Sequence, residues 1–160
     1  MPRATALPPS LKTARLLALI VPAGLLLGAY IGEFAFGLYP CEMCWWQRWP
    51  HFAAIVFAGL AFLVPKPRLA IVLAALAILA SGSIGGFHAG VEYGWWQGVT
   101  ACTQTAGTGM SAIEAITNAP MVRCDRAPWS LLGISLAGWN FLISLIAGAA
   151  ILWLARERGR

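Results

Sequence analysis

Residues 69–91 read LAIVLAALAILASGSIGGFHAGV, 23 positions without an Asp, Glu, Lys or Arg. A helix needs roughly 20 apolar residues to cross the hydrocarbon of a bilayer, so this stretch is long enough by itself. Three further charge-free runs flank it: residues 16–32 and 49–65, of 17 positions each, and residues 127–155, of 29. None has the alternation of a barrel strand, and backbone groups in lipid must bond within their own segment, which leaves helices. The composition agrees, with 59% hydrophobic and 11% charged residues and a mean hydropathy of +0.73, far from an ordinary soluble domain. The expectation is an all-α membrane protein: one domain, residues 1–160, forming a four-transmembrane-helix bundle with spans at about 16–32, 49–64, 69–87 and 129–154.

The first run follows Arg3, Lys12 and Arg15, as a secretory signal would. It is longer than the usual signal core and no clear small-residue cleavage site follows, so it reads as a permanent span with a kink possible at Pro22. Four spans put both termini on one side. Eight of the eleven basic residues fall there (Arg3, Lys12, Arg15, Lys66, Arg68, Arg156, Arg158 and Arg160), against Arg48, Arg123 and Arg126 on the other. The excess of basic residues marks the terminal side as cytoplasmic. The net charge of +5 is therefore a topology signal and implies no nucleic-acid partner.

Two outer loops remain, about 33–48 and 88–128. In the longer one Met110, Ile113 and Ile116 recur at helical spacing after Gly107 and Gly109, which suggests either a short amphipathic helix on the membrane surface or a segment folded onto the bundle top. Trp45, Trp46, Trp49, Trp95, Trp96 and Trp129 gather at the same interface, where an indole ring is best accommodated. Ser81, Gly82, Ser83, Gly85 and Gly86 form a small-residue stretch in span three, which favours close helix packing over a ligand wall.

All four cysteines, Cys41, Cys44, Cys102 and Cys124, fall on the outer side. Disulfides persist outside the cytosol, so two pairs, redox-active or structural, are expected, and four cysteines leave three connectivities open. A zinc site is the weaker reading: after the C-x-x-C come 57 residues and then two cysteines separated by 21, without a second close pair. A disulfide across Cys41 and Cys44 closes a ring too small to stabilise the fold much, and such a bond is usually there to be broken and remade. If a helix begins near Cys44, its N-terminus and Arg48 one turn along both favour a thiolate, while Glu42 opposes one. His51 continues that stripe one turn deeper and reads as a packing residue. Arg123, Asp125 and Arg126 flank Cys124; if Cys124 is bonded to Cys102, the two cations favour attack at Cys102 with Cys124 leaving, and binding of lipid headgroups accounts for them equally well.

Taken together, Pro40-Cys41-x-x-Cys44-x-x-Gln47-Arg48, the run from Gly86-Phe87-His88 to Val91-Glu92, Cys124-Asp125-x-x-x-Trp129, Leu132-Gly133-x-Ser135 and Trp139-Asn140 resemble the bacterial disulfide bond formation protein B (DsbB) family. The resemblance implies a protein-disulfide oxidoreductase of the bacterial inner membrane that uses quinone, ubiquinone or menaquinone, as acceptor and re-oxidises a periplasmic DsbA-type thioredoxin-fold partner. By position it makes Cys41, Cys44, Cys102 and Cys124 catalytic. Cys102 would take the mixed disulfide, Cys124 would be its loop mate and would pass electrons to Cys41, and Cys44 would face the quinone. It places Arg48, His88 and Cys44 at the cofactor, with no metal; a plain His88 and Glu92 pair at a helix end competes with the cofactor role of His88. An oxidase of the vitamin K epoxide reductase type would carry its C-x-x-C late in the chain, whereas this one precedes span two. The remaining alternative is a non-enzymatic membrane protein with structural disulfides or a thiolate metal site.

Overall fold

A computed structural model of the chain describes residues 7–100 and 122–156. Within them run four long helices, α1 (Pro9–Phe36), α2 (Glu42–Leu63), α3 (Arg68–Glu92) and α4 (Leu136–Arg156), and one two-stranded ladder, β1 (Ser130–Leu131) with β2 (Ile134–Ser135). Helices α1, α3 and α4 are long and apolar enough to cross a membrane. Helix α2 is less apolar because Gln47, Arg48 and His51 occupy its first turns, and all three are buried against the other helices. The expected surface helix around Met110 and Ile116, and Cys102 with it, lie outside the described residues.

The helices overrun the apolar runs at the end that carries Cys41. Helix α1 continues through Glu33 to Phe36, and α2 starts at Glu42, so the stretch expected as a loop over 33–48 reduces to residues 37–41. Capping geometry sets these ends, not hydropathy. Gly37 takes the left-handed conformation at φ 68°, which a residue without a Cβ reaches freely, and the Leu38 N–H donates back to the Gly32 carbonyl at 3.0 Å in the manner of a Schellman cap. Cys41 then caps α2, its sulfur accepting the Cys44 N–H at 3.2 Å. Pro22 lies inside α1 and Pro50 inside α2 without ending either helix.

Helix α4 likewise begins at Leu136, later than the charge-free run suggests, because the six residues before it make a hairpin. Ser130 pairs with Ser135 and Leu131 with Ile134. The two residues between them, Leu132 and Gly133, both have positive φ, 54° and 77°, the conformation that matches the twist of a two-residue hairpin. Tyr93, just past α3, ties this hairpin down: its hydroxyl accepts the Ser135 N–H at 2.9 Å and donates to the Gly133 carbonyl at 3.3 Å.

Small residues seat α3 against α4. A Cβ on Gly82 would meet the Ser144 Cβ at 2.9 Å, and one on Gly86 would meet the Phe141 ring at 2.9 Å. The small-residue stretch of α3 thus serves helix packing. Two apolar clusters follow. The larger joins Ala14 and Ala18 of α1, Ala54 and Ala58 of α2, Ile71 and Ile78 of α3, and Ile151 of α4; the smaller, at the other end of the bundle, is Cys41, Met43, Val91 and Cys124.

Candidate functional site: a dithiol and a disulfide beside a cavity

The smaller cluster holds the chemistry. Cys41 and Cys44 carry free thiols, their sulfurs 2.8 Å apart across the first turn of α2. Cys124 is disulfide-bonded, with a partner outside the described residues. The Sγ atoms of Cys41 and Cys124 and a ring nitrogen of His88 lie within 4.8 Å of one another. Three such ligand atoms could hold a metal ion, but a sulfur tied up in a disulfide is not a thiolate donor. Cys41 and Cys124 are buried, so exchange between them would proceed out of water. The Cys44 sulfur, and then burial, push the Cys41 thiol up from its ordinary value, while the Cys44 and Met43 N–H groups pull it down. Thr100 donates its hydroxyl to the Cys124 sulfur at 3.7 Å.

A polar network inside the bundle orients His88. Asn140 on α4 donates from Nδ2 to the Gln47 Oε1 at 2.9 Å and to Ser81 Oγ at 3.2 Å. With its oxygen so engaged, Gln47 donates from Nε2 to the Met43 carbonyl at 3.2 Å and to His88 Nδ1 at 2.9 Å. Nδ1 is then the acceptor of the imidazole and Nε2 carries the proton. That Nε2–H faces the Cys124 carbonyl at 3.2 Å and the Cys41 sulfur at 3.7 Å, with a Glu92 carboxylate oxygen 3.8 Å away. The expected His88 and Glu92 pair therefore exists, and the same ring nitrogen also serves the two sulfur-bearing segments. Gly85 makes the crossing possible: a Cβ there would lie 3.0 Å from both Asn140 Nδ2 and Gln47 Oε1.

Arg48 is buried and has a partner that charge counting on separate segments did not supply. Its guanidinium donates to Glu33 Oε2 on α1 at 2.6 Å and lies over the rings of Tyr30, at 4.7 Å, and Trp45, at 5.0 Å. A planar guanidinium suits such stacking. Near Cys124 the Arg123 side chain binds Asp125 through two hydrogen bonds, which hold the Asp125 carboxyl below its ordinary range. Arg123 is thus engaged by a carboxylate, which weakens the expected joint pull of the two arginines on Cys124.

Beside Cys44 lies a cavity of about 270 Å³. Gly24 and Gly28 of α1 line one wall, Cys44, Arg48 and His51 of α2 another, and His88, Glu92 and Asn140 line it from α3 and α4. Gln47 and Asn140 stand in the motifs that carry the family resemblance without a role of their own there, and Glu33 is a polar residue at the edge of an apolar run, a position that signals a partner within the bundle.

A disulfide-bonded cysteine beside a dithiol, in a helical bundle of which three helices are long and apolar enough to cross a membrane, has the parts of a thiol–disulfide oxidoreductase. The chain belongs to the DsbB family: the family model described as disulfide bond formation protein DsbB matches residues 11–154. Among curated proteins it is 32% identical over 159 residues to disulfide bond formation protein B of Polaromonas sp. (strain JS666 / ATCC BAA-500), covering 92% of this chain and 94% of that one. It is 34% identical over 158 residues to the protein of the same name from Acidovorax sp. (strain JS42), covering 91% and 89%. No solved structure gives a significant match.

Proposed function

We propose that this protein is a quinone-dependent thiol oxidase that re-oxidises a periplasmic DsbA-type protein, with four spans, both termini cytoplasmic and the cysteines on the periplasmic side. The observation that carries the reading is the position of the C-x-x-C between two neighbours. Cys41 has the Cys124 sulfur within 4.8 Å, while Cys44 lines the cavity.

The sequence of exchanges follows from that order. The reduced partner attacks Cys102, and Cys124 leaves as a thiolate, with the Thr100 hydroxyl beside it. The Cys124 sulfur then attacks Cys41 of an oxidised Cys41–Cys44 pair, and Cys44 leaves as a thiolate at the cavity wall. The partner's second thiol resolves its mixed disulfide with Cys102; Cys102 then attacks Cys124 and re-forms their bond, releasing the C-x-x-C as a dithiol. The His88 Nε2–H stands beside Cys41 and steadies negative charge there. Re-oxidation of the dithiol releases two electrons and two protons. The cavity suits the acceptor: it is of a size for a quinone ring and mostly apolar. A quinone bound there, ubiquinone or menaquinone, supplies the two-electron acceptor. Arg48, His88 and Cys44 would hold it, Arg48 stiffened by Glu33 and the two rings.

The test is quinone absorbance with purified protein in detergent, a short-chain quinone and a reduced DsbA-type partner. Quinone loss should match partner oxidation, and Cys41→Ser or Cys44→Ser should abolish it. Unchanged turnover in either variant would sink the proposal.

A further inference from the structure

Among the described residues three buried side-chain nitrogen or oxygen atoms have no hydrogen-bond partner: Arg15 Nε, His51 Nδ1 and Glu92 Oε2. Two of the three belong to residues that line the cavity. Natural interiors pair nearly all such atoms, so two orphans around one cavity call for a cause.

The chemistry of the His51 orphan can be read from its neighbours. Asn140 uses its Nδ2 on Gln47 and Ser81, so its Oδ1 is an acceptor, and Ser144 Oγ donates to that oxygen at 3.0 Å. His51 Nε2 lies 2.9 Å from the same Oδ1 and must donate to it. The proton of the neutral ring is therefore on Nε2, and Nδ1 presents a bare lone pair. His51 is only 3% exposed, and Nδ1 has no partner among the described residues. The second orphan, a carboxylate oxygen of Glu92, is an acceptor when ionised. A quinone carbonyl offers no hydrogen to such atoms, whereas the hydroxyls of a quinol do.

We propose that the cavity is complementary to the reduced, hydroxyl-bearing form of its aromatic carrier, with His51 Nδ1 as the acceptor for one hydroxyl. This rests on the quinone reading above and adds to it a residue and a preference between redox forms. Two electrons and two protons from the Cys41 and Cys44 thiols convert the quinone to the quinol, and only the product can use the His51 lone pair. Tighter binding of the quinol raises the reduction potential of the bound carrier, about 30 mV for each tenfold preference in a two-electron couple. The preference helps to draw electrons out of the dithiol.

The chain has two histidines, so nitrogen NMR of ¹⁵N-histidine-labelled, oxidised protein in detergent micelles resolves both rings. The free protein should show His51 with an unprotonated Nδ1. A short-chain quinol should shift that resonance toward the hydrogen-bonded range, and the matching quinone should leave it in place. His51→Leu should weaken quinol binding tenfold or more and change quinone binding less than twofold. A protonated Nδ1 in the free protein, or equal shifts with both ligands, would overturn the proposal while leaving the quinone reading intact. Wild-type protein in which neither ligand moves any resonance would overturn both. The spectra of the wild type decide the matter even if His51→Leu fails to fold.

Discussion

Gln47 and His88, 41 positions apart in the chain, are joined by a 2.9 Å hydrogen bond from the Gln47 amide nitrogen to His88 Nδ1. This one contact decides which nitrogen of His88 carries the proton, and so makes the ring a donor toward Cys41 and the Cys124 carbonyl rather than a base.

Gln47→Leu should therefore cost more than a hydrogen bond. It leaves Asn140 Nδ2 with one acceptor fewer and frees His88 to change tautomer; loss of a buried polar partner costs about 1–3 kcal/mol. The expected result is a lower unfolding temperature together with slower transfer between the Cys124 and Cys41 disulfides, roughly tenfold for 1.4 kcal/mol lost at the barrier. Rapid-quench trapping of the mixed disulfide measures the transfer; an unchanged rate in folded variant protein would remove Gln47 from the exchange step.

Arg48 and Glu33 form a largely buried ion pair, with side-chain exposures of 7% and 15%. Removing one partner of such a pair typically costs about 3–5 kcal/mol, because the other charge is left uncompensated. Glu33→Gln should destabilise the protein toward that magnitude and raise the Michaelis constant for quinone, since a released guanidinium no longer has a set position. Thermal unfolding in detergent and steady-state kinetics check the two effects separately.

Gly85 offers a steric test of the polar network. Its Cβ position lies 2.9 Å from the Ala137 carbonyl and 3.0 Å from both Asn140 and Gln47, so Gly85→Ala must push α3 from α4. Overpacking of this kind costs about 1–3 kcal/mol. The same change at Gly59, where nothing lies within 4 Å, should be nearly neutral, and a comparison of unfolding temperatures between the two variants is the measurement.

The Cys41 thiol is held above its ordinary value first by the Cys44 sulfur and second by burial. A raised thiol pKa means that the neutral form persists to higher pH, and the thiolate needed for attack appears only above it. Cys44→Ala removes the leading cause, so the alkylation of Cys41 should begin at lower pH than in the dithiol protein. Rates of iodoacetamide labelling across pH, read by mass spectrometry, give the shift; a profile displaced to higher pH would contradict the assignment.

Local information determined much of this protein. Charge-free runs mark the helices because a bilayer-length helix needs an unbroken apolar stretch, and three of the four helices show that character in the structure. The family resemblance was also legible, since cysteines and glycines at set spacings are properties of the chain itself, and the family model matches across residues 11–154. The helix ends were less so: α1 and α2 stop and start at Gly37 and Cys41 through backbone conformation and capping, which hydropathy does not register. The partners of the polar side chains were decided by the tertiary structure alone. Glu33 meets Arg48 from another helix, His51 meets Asn140 across 89 positions, and Asn140 reaches Gln47 across 93. Nothing in a helix's own sequence says which neighbour faces a polar residue on its buried side. Burial makes that choice, because inside an apolar bundle each such group must find a partner on whatever helix packs against it.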